Sequence, residues 1–208
     1  MKKQQLKETI NFLKSNGITS PEIGIVLGTG LGKLIAEISI EKEIAYSDIP
    51  NFPVATVEFH SGKLIYGSLS GKKVIVMAGR FHLYEGYNPW EVTYGIRVMH
   101  GLGIKNLLIS NAAGAINLNY KKGDLMLIED HINLQGSSPL AFQGANNFGN
   151  IFADMLAPYS AVLNTKIIAI AKAQNILLHQ GTYTSVLGPQ LETRAEYRML
   201  QILETDAV

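Results

Sequence analysis

Val74-Ile75-Val76-Met77-Ala78-Gly79-Arg80-Phe81-His82-Leu83-Tyr84-Glu85-Gly86-Tyr87-Asn88-Pro89-Trp90-Glu91 reads as three things in succession: a buried strand, a polar loop and a helix start. The first residues form an unbroken apolar run of β-like composition. The helix start is signalled by Asn88 as N-cap, Pro89 at the first helical position and Glu91 three residues after the cap. Between them, glycines at 79 and 86 bracket a loop that carries Arg80, His82, Tyr84 and Glu85. Such a loop builds core poorly and holds an anion well. Arg80 offers a rigid fork of donors that fits two oxygens of a phosphate. His82 donates or accepts near neutral pH, and Glu85 is spaced to orient either one. A strand feeding a helix through a functional loop points to an α/β protein.

Working outward from this stretch, the 208 residues suit one α/β domain, read as spanning 1–208. Eighteen basic and 17 acidic residues leave a net charge of +1, which suits neither nucleic acid nor an anionic membrane as partner. Cysteine is absent, which excludes disulfides, thiolate catalysis and cysteine-ligated zinc. The N-terminal residues read as an amphipathic helix with Leu6, Ile10 and Leu13 on one face, not as a signal peptide. No stretch reaches the ~18 apolar residues of a membrane span. A cytoplasmic protein is expected.

Glu22 to Leu27 reads as a buried strand that empties into Gly28-Thr29-Gly30-Leu31-Gly32. Lys33 stands where a dinucleotide fingerprint requires its third glycine. A tight turn and a phosphate cradle both remain open for this loop, with Thr29 placing a hydroxyl at its tip. His60-Ser61-Gly62 precedes a hairpin of Lys63–Leu69 and Lys73–Met77 around Ser70-Gly71. The helix after Asn88 is expected to run to about Gly101, burying Val92, Ile96 and Met99, with His100 at its end.

Asn106 to Ser110 is expected to be a central strand covered on both faces. It leads into Asn111-Ala112-Ala113-Gly114-Ala115, whose small side chains allow close approach by a ligand or by a helix. Leu125 to Glu129 is a further strand leading to Asp130-His131. Neighbours on a strand point to opposite faces, so these two form no dyad. Gln135 to Asn150 is a long irregular segment with Phe142 and Phe148 expected to be exposed, as a lid or subunit contact. A helical pattern follows over Tyr159 to Gln174, then a strand from Gly181 to Leu187. Thr193 and Glu196 form a capping box for a helix to about Leu203, which puts Glu192 beside a helix N-terminus. Asp206-Ala207-Val208 reads as the start of another strand, whose exposed edge would invite aggregation.

Five motifs in this order resemble the trimeric, low-molecular-mass purine nucleoside phosphorylases: Gly28-Thr29-Gly30-Leu31-Gly32, Arg80 to Gly86, Asn111-Ala112-Ala113-Gly114, Asp130-His131-Ile132-Asn133-Leu134, and Gly188-Pro189-Gln190-Leu191-Glu192-Thr193. The resemblance implies an α/β fold with a mixed central sheet flanked by helices, in a homotrimer. It implies phosphorolysis of purine nucleosides (inosine, guanosine and their 2'-deoxy forms) to free base and (deoxy)ribose 1-phosphate. Inorganic phosphate would be the co-substrate, with no metal and no organic cofactor. By the same resemblance, Thr29, His60, Arg80, His82 and the backbone at Ala112 would hold phosphate. Tyr84, and Phe148 reaching into a neighbouring subunit, would contact ribose. Ala113, Gly114, Leu191 and Glu192 would contact the base, and His82, Glu85 and Glu192 would carry the catalysis. Leu191 stands where the family commonly has an aromatic, and Thr29 replaces the more usual serine. The family continues for some tens of residues past Val208 with further ribose, phosphate and purine contacts, so the chain reads as C-terminally truncated.

Cleaving the glycosidic bond builds oxocarbenium character on the sugar, which a positioned phosphate dianion stabilises and then attacks. A carboxylate at Glu192 matches the N1–H of a 6-oxopurine and mismatches adenine. Two alternatives stand beside this reading: a methylthioadenosine phosphorylase-like enzyme, and an impaired protein that binds phosphate or nucleoside without turnover. A Rossmann oxidoreductase would rest on Gly28 to Gly32 alone, with the wrong spacing.

Overall fold

The computed structural model describes residues 1–54 and 62–208, which divide into two compact units. The first comprises Met1–Ala112 with Ser138–Phe148, the second Ala113–Ser137 with Gly149–Val208.

The first unit is built on a mixed five-stranded sheet. Its strands are β1 (Ile23–Leu27), β2 (Ser39–Ala45), β3 (Lys63–Leu69), β4 (Lys72–Ala78) and β5 (Asn106–Ile109). They lie in the order β2-β3-β4-β1-β5. β2, β3 and β4 run antiparallel to one another, with the expected hairpin turning at Ser70-Gly71, while β1 pairs parallel to both β4 and β5. Alternate residues of β4 face opposite sides, as strand geometry requires. Ile75 and Met77 join one apolar cluster with Leu13, Tyr94, Val98, Met99 and Leu102. Val74, Val76 and Ala78 join another with Ile25, Leu27, Ile38 and Ile65.

Helix α1 (Lys2–Ser15) turns Leu13 fully inward, with Leu6 and Ile10 against the same cluster. Thr9, also buried, is satisfied by Pro50 O at 2.6 Å and the Tyr94 hydroxyl at 2.7 Å. The capping box at Asn88 forms in both directions. The helix it starts is not continuous. α2 (Pro89–Val92) gives way at Thr93 to α3 (Tyr94–Leu102). Thr93 Oγ1 donates to Pro89 O at 2.8 Å, a back-bond by which threonine bends a helix. The fully buried face is Tyr94, Val98, Met99 and Leu102; the expected Val92 and Ile96 pack against the same cluster but stay half-buried.

β5 departs further. It is an end strand of this sheet, with Leu108 42% and Ile109 61% exposed, not a strand covered on both faces. Three consecutive apolar residues, Leu107 to Ile109, carry no periodicity that separates an end strand from a central one. Phe142 and Phe148 are half-buried rather than exposed. Their rings lie 5.0 Å from that of Trp90, and the Arg97 guanidinium covers Trp90 at 4.6 Å.

The second unit holds β6 (Leu125–Asn133) and β7 (Leu178–Ser185), paired in parallel, with α4 (Ala161–Ala173) between them in sequence. β6 runs four residues past its expected end, taking in Asp130 and His131. Asp130 accepts the His131 backbone N–H, while the His131 ring meets the Tyr159 hydroxyl at 3.0 Å. The Thr193 capping box starts α5 (Arg194–Ile202) as expected. Ala207 bridges both Ala115 and Tyr183, so the strand anticipated at Asp206-Ala207-Val208 makes its first contacts here. Among the described residues no helix is long and apolar enough to cross a membrane.

Candidate active site

β4 ends at Ala78, and the chain leaves the sheet through Gly79, whose carbonyl accepts the Tyr46 hydroxyl at 2.8 Å. Tyr46 is 1% exposed, and burial pushes its phenol well above the usual tyrosine range. The phenol therefore stays a neutral donor under the first residue of the polar loop. Phe81, 2% exposed, packs its ring against Tyr46 at 5.3 Å and fixes the loop from below. Arg80 and His82, on either side of Phe81, point away from the core.

The polar side chains of this loop form one chain of contacts. Arg80 Nε lies 3.3 Å from His82 Nε2, and His82 Nδ1 lies 2.7 Å from a Glu85 carboxylate oxygen. That same oxygen accepts the His82 backbone N–H at 2.8 Å. An arginine nitrogen only donates, so Nε2 is the acceptor and the ring proton sits on Nδ1, directed at the carboxylate. Glu85 is 3% exposed. Tyr84 stacks on the His82 ring at 4.6 Å and stays 41% exposed. The sequence reading gives His82 as an anion ligand; in this structure its ring nitrogens lie 3.3 Å from Arg80 Nε and 2.7 Å from Glu85.

The first glycine turn meets this loop at Ser110. Arg80 Nη1 donates to Ser110 O at 3.2 Å, and the Gly28 N–H points at Ser110 Oγ at 3.3 Å. A β-carbon at Gly28 would stand 2.6 Å from both Ser110 O and Asn111 Cα, so only glycine lets β1 and β5 end this close together. Thr29 follows at the exposed tip of the turn, and Ala112 lies exposed two residues past Ser110. Thr29, Arg80, His82, Tyr84, Glu85 and Ala112 thus belong to one unit, with Arg80 and the glycine turn joined through Ser110. Chemically, a guanidinium beside a glycine turn is a donor set of the kind that suits an anion. His60 lies outside the described residues. Phe148 belongs to the same unit and packs on Trp90.

Of the residues expected to contact the base, Gly114 in the second unit exchanges two backbone hydrogen bonds with Val208, at 2.8 and 2.9 Å. Ala113 is exposed, as is Leu191 at 83%. Glu192 is half-buried immediately before the Thr193 N-cap, at the positive end of α5. Ser110 was missed from the sequence because it reads there only as the residue on which an apolar strand ends. A hydroxyl between an apolar strand and Asn-Ala-Ala-Gly was the available signal. Among the described residues no cluster of three or more His, Asp or Glu side chains is placed to hold a metal ion.

Strand ends that meet beside an arginine–histidine–carboxylate chain define the class: a mixed-sheet α/β protein with a polar cluster at its strand ends. Residues 22–208 match the model of the phosphorylase superfamily. The chain is 46% identical to purine nucleoside phosphorylase 1 of Bacillus subtilis over 99% of its own length and 76% of that protein's. It is 40% identical to the Bos taurus purine nucleoside phosphorylase over 99% and 73% of the two chains. The crystal structure of Schistosoma mansoni purine nucleoside phosphorylase isoform 2, in complex with cytosine and ribose-1-phosphate, superimposes with a TM-score of 0.92. That comparison is at 40% identity and covers 99% of this chain and 74% of the other. The chain belongs to the purine nucleoside phosphorylase family of the phosphorylase superfamily.

Proposed function

We propose that this chain catalyses the reversible phosphorolysis of 6-oxopurine nucleosides, inosine and guanosine and their 2'-deoxy forms, to the base and (deoxy)ribose 1-phosphate. The observation that carries the reading is the Arg80–His82–Glu85 chain tied to the Gly28 turn, in a protein 46% identical to a purine nucleoside phosphorylase. The family match runs through both compact units, which supports reading 22–208 as parts of one phosphorylase domain.

In this reading Thr29, His60, Arg80 and the backbone of Ala112 receive phosphate. A dianion beside Arg80 takes over the guanidinium from His82, and Nε2, an acceptor, turns to the O–H that phosphate keeps near neutral pH. The ribose lies against Tyr84 and against Phe148 of a neighbouring subunit in a homotrimer. Glu192 accepts from the purine, with Leu191, Ala113 and Gly114 as the other base contacts. Positioned phosphate stabilises the oxocarbenium-like sugar and attacks it as the base leaves, with neither metal nor organic cofactor. A cytoplasmic site of action is part of the same proposal.

The test is hypoxanthine release from inosine with and without inorganic phosphate. Release that depends on phosphate, and falls by about a hundredfold or more in Arg80→Ala, is the expected result. Release at the same rate without phosphate makes the protein a hydrolase and overturns the reading. Phosphate binding by calorimetry with no turnover makes it a binding protein instead. A Schistosoma mansoni relative was solved in complex with adenosine, so adenosine and methylthioadenosine are assayed alongside. Faster cleavage of either would overturn the 6-oxopurine preference.

A further inference from the structure

We infer that Ser110 is a positioning residue of the anion pocket, an inference that deepens the proposed function and rests on it. Ser110 carries no charge and offers one hydroxyl, yet it joins three strand ends. Its Oγ donates to Val26 O at 3.1 Å, near the end of β1, and accepts the buried Gly28 N–H at 3.3 Å. Its own N–H donates to Val26 O at 3.0 Å, continuing the β1–β5 ladder by one residue. Its carbonyl accepts Arg80 Nη1 at 3.2 Å, just past the end of β4.

The hydroxyl inventory closes, with the single O–H on Val26 and a lone pair taken by Gly28. The backbone links would survive removal of the side chain, and the two hydroxyl links would not. The hydroxyl thereby sets how the β1 turn sits against the carbonyl that holds Arg80. An error there moves the guanidinium and the Gly28 turn apart, where a small displacement weakens anion binding steeply.

The experiment compares Ser110→Ala and Ser110→Thr with the wild-type chain. Steady-state phosphorolysis gives KM for phosphate and for inosine separately, thermal unfolding gives Tm, and NMR relaxation reports the order of the Arg80 Nε–H. Ser110→Ala should raise the phosphate KM about five- to tenfold, the loss expected for one ordinary hydrogen-bonding group. The inosine KM should stay within about twofold, and Arg80 Nε–H should become less ordered. Ser110→Thr keeps the hydroxyl on a strand-compatible side chain and should restore both values. An unchanged phosphate KM, or a parallel rise of both KM values that tracks a fall in Tm, overturns the inference. If the wild-type chain shows no dependence on phosphate, the proposed function falls. The NMR comparison then decides alone: a looser Arg80 in Ser110→Ala supports the positioning role, and equal order overturns it.

Discussion

His82 Nδ1 and the His82 backbone N–H both point at a single carboxylate oxygen of Glu85, at 2.7 and 2.8 Å. Two donors on one acceptor fix the imidazole's plane as well as its tautomer, and Arg80 Nε reads the result at Nε2. Glu85 is therefore the residue from which the geometry of this loop is set.

Glu85→Ala removes both contacts from a carboxylate that is 3% exposed. Hydrogen bonds to a charged group are worth about 1.5–3 kcal/mol each. A fall of about ten- to a hundredfold in kcat/KM for phosphate is expected. Glu85→Gln keeps an acceptor oxygen for both donors while removing the charge, and should lie between the wild-type chain and Glu85→Ala. Equal losses for the two variants would show that charge, and not orientation of His82, is what Glu85 supplies.

Gly28→Ala tests the closeness of the strand ends directly. The added carbon would sit 2.6 Å from Ser110 O and Asn111 Cα, both of them main-chain atoms that cannot rotate away. Overpacking of this kind costs about 1–3 kcal/mol. The unfolding midpoint in urea should drop accordingly, and phosphate affinity should fall with it. Gly30→Ala makes a control of a different kind. Nothing lies within 4 Å of its β-carbon, but its φ of +83° makes the substitution a matter of backbone strain alone.

What the sequence revealed, and what it hid, follows from the range of the interactions. Both capping boxes, at Asn88 and Thr193, lie within four residues and form as read. The hairpin from Lys63 is equally local and equally legible. The Arg80–His82–Glu85 spacing also lies within one turn of chain, which is why the polar loop stood out. Ser110 links positions 82 and 30 residues away, and no local pattern announces that. The exposure of β5 depends on strand order, and the burial of Phe148 depends on Trp90, 58 positions earlier in the chain. The break at Thr93 was legible in principle, since a threonine four residues after Pro89 can bond back to its carbonyl.

Alkaline pH should act through Tyr46. Burial raises its folded-state pKa above the unfolded value of about 10, so the folded protein retains the phenolic proton that the unfolded chain releases. Stability from this group is fully present below about pH 10 and declines as pH rises further, by up to about 1.4 kcal/mol per pH unit. Tyr46→Phe gives up the hydroxyl's bond to Gly79 O and should cost about 1 kcal/mol at neutral pH. It should also flatten the decline above pH 10. Denaturant unfolding of both proteins from pH 8 to 11 measures the two slopes, and identical slopes would assign the alkaline loss to other groups.

In the second unit Gly181 lies against the Asp206 carboxylate, so closely that a β-carbon would overlap it. The same carboxylate accepts the Thr182 N–H at 2.9 Å and Asn117 Nδ2 at 2.8 Å. It thereby ties β7 and the segment after Ala115 to the residues that lead into Ala207. Asp206→Ala should destabilise this unit by about 1–3 kcal/mol, because two donors lose a charged acceptor. Gly181→Ala should cost a similar amount for the opposite reason, since the acceptor is present and in the way. The two effects share one atom group and cannot add. In an Asp206→Ala background the carboxylate contacts are gone and only the residue-206 β-carbon remains, at 2.9 Å, so adding Gly181→Ala should cost less than it does alone, giving a coupling of about 1 kcal/mol or above in a double-mutant cycle. Urea unfolding of the four proteins measures it. Strict additivity would mean that Gly181 is required for its backbone freedom and not for the room it leaves Asp206.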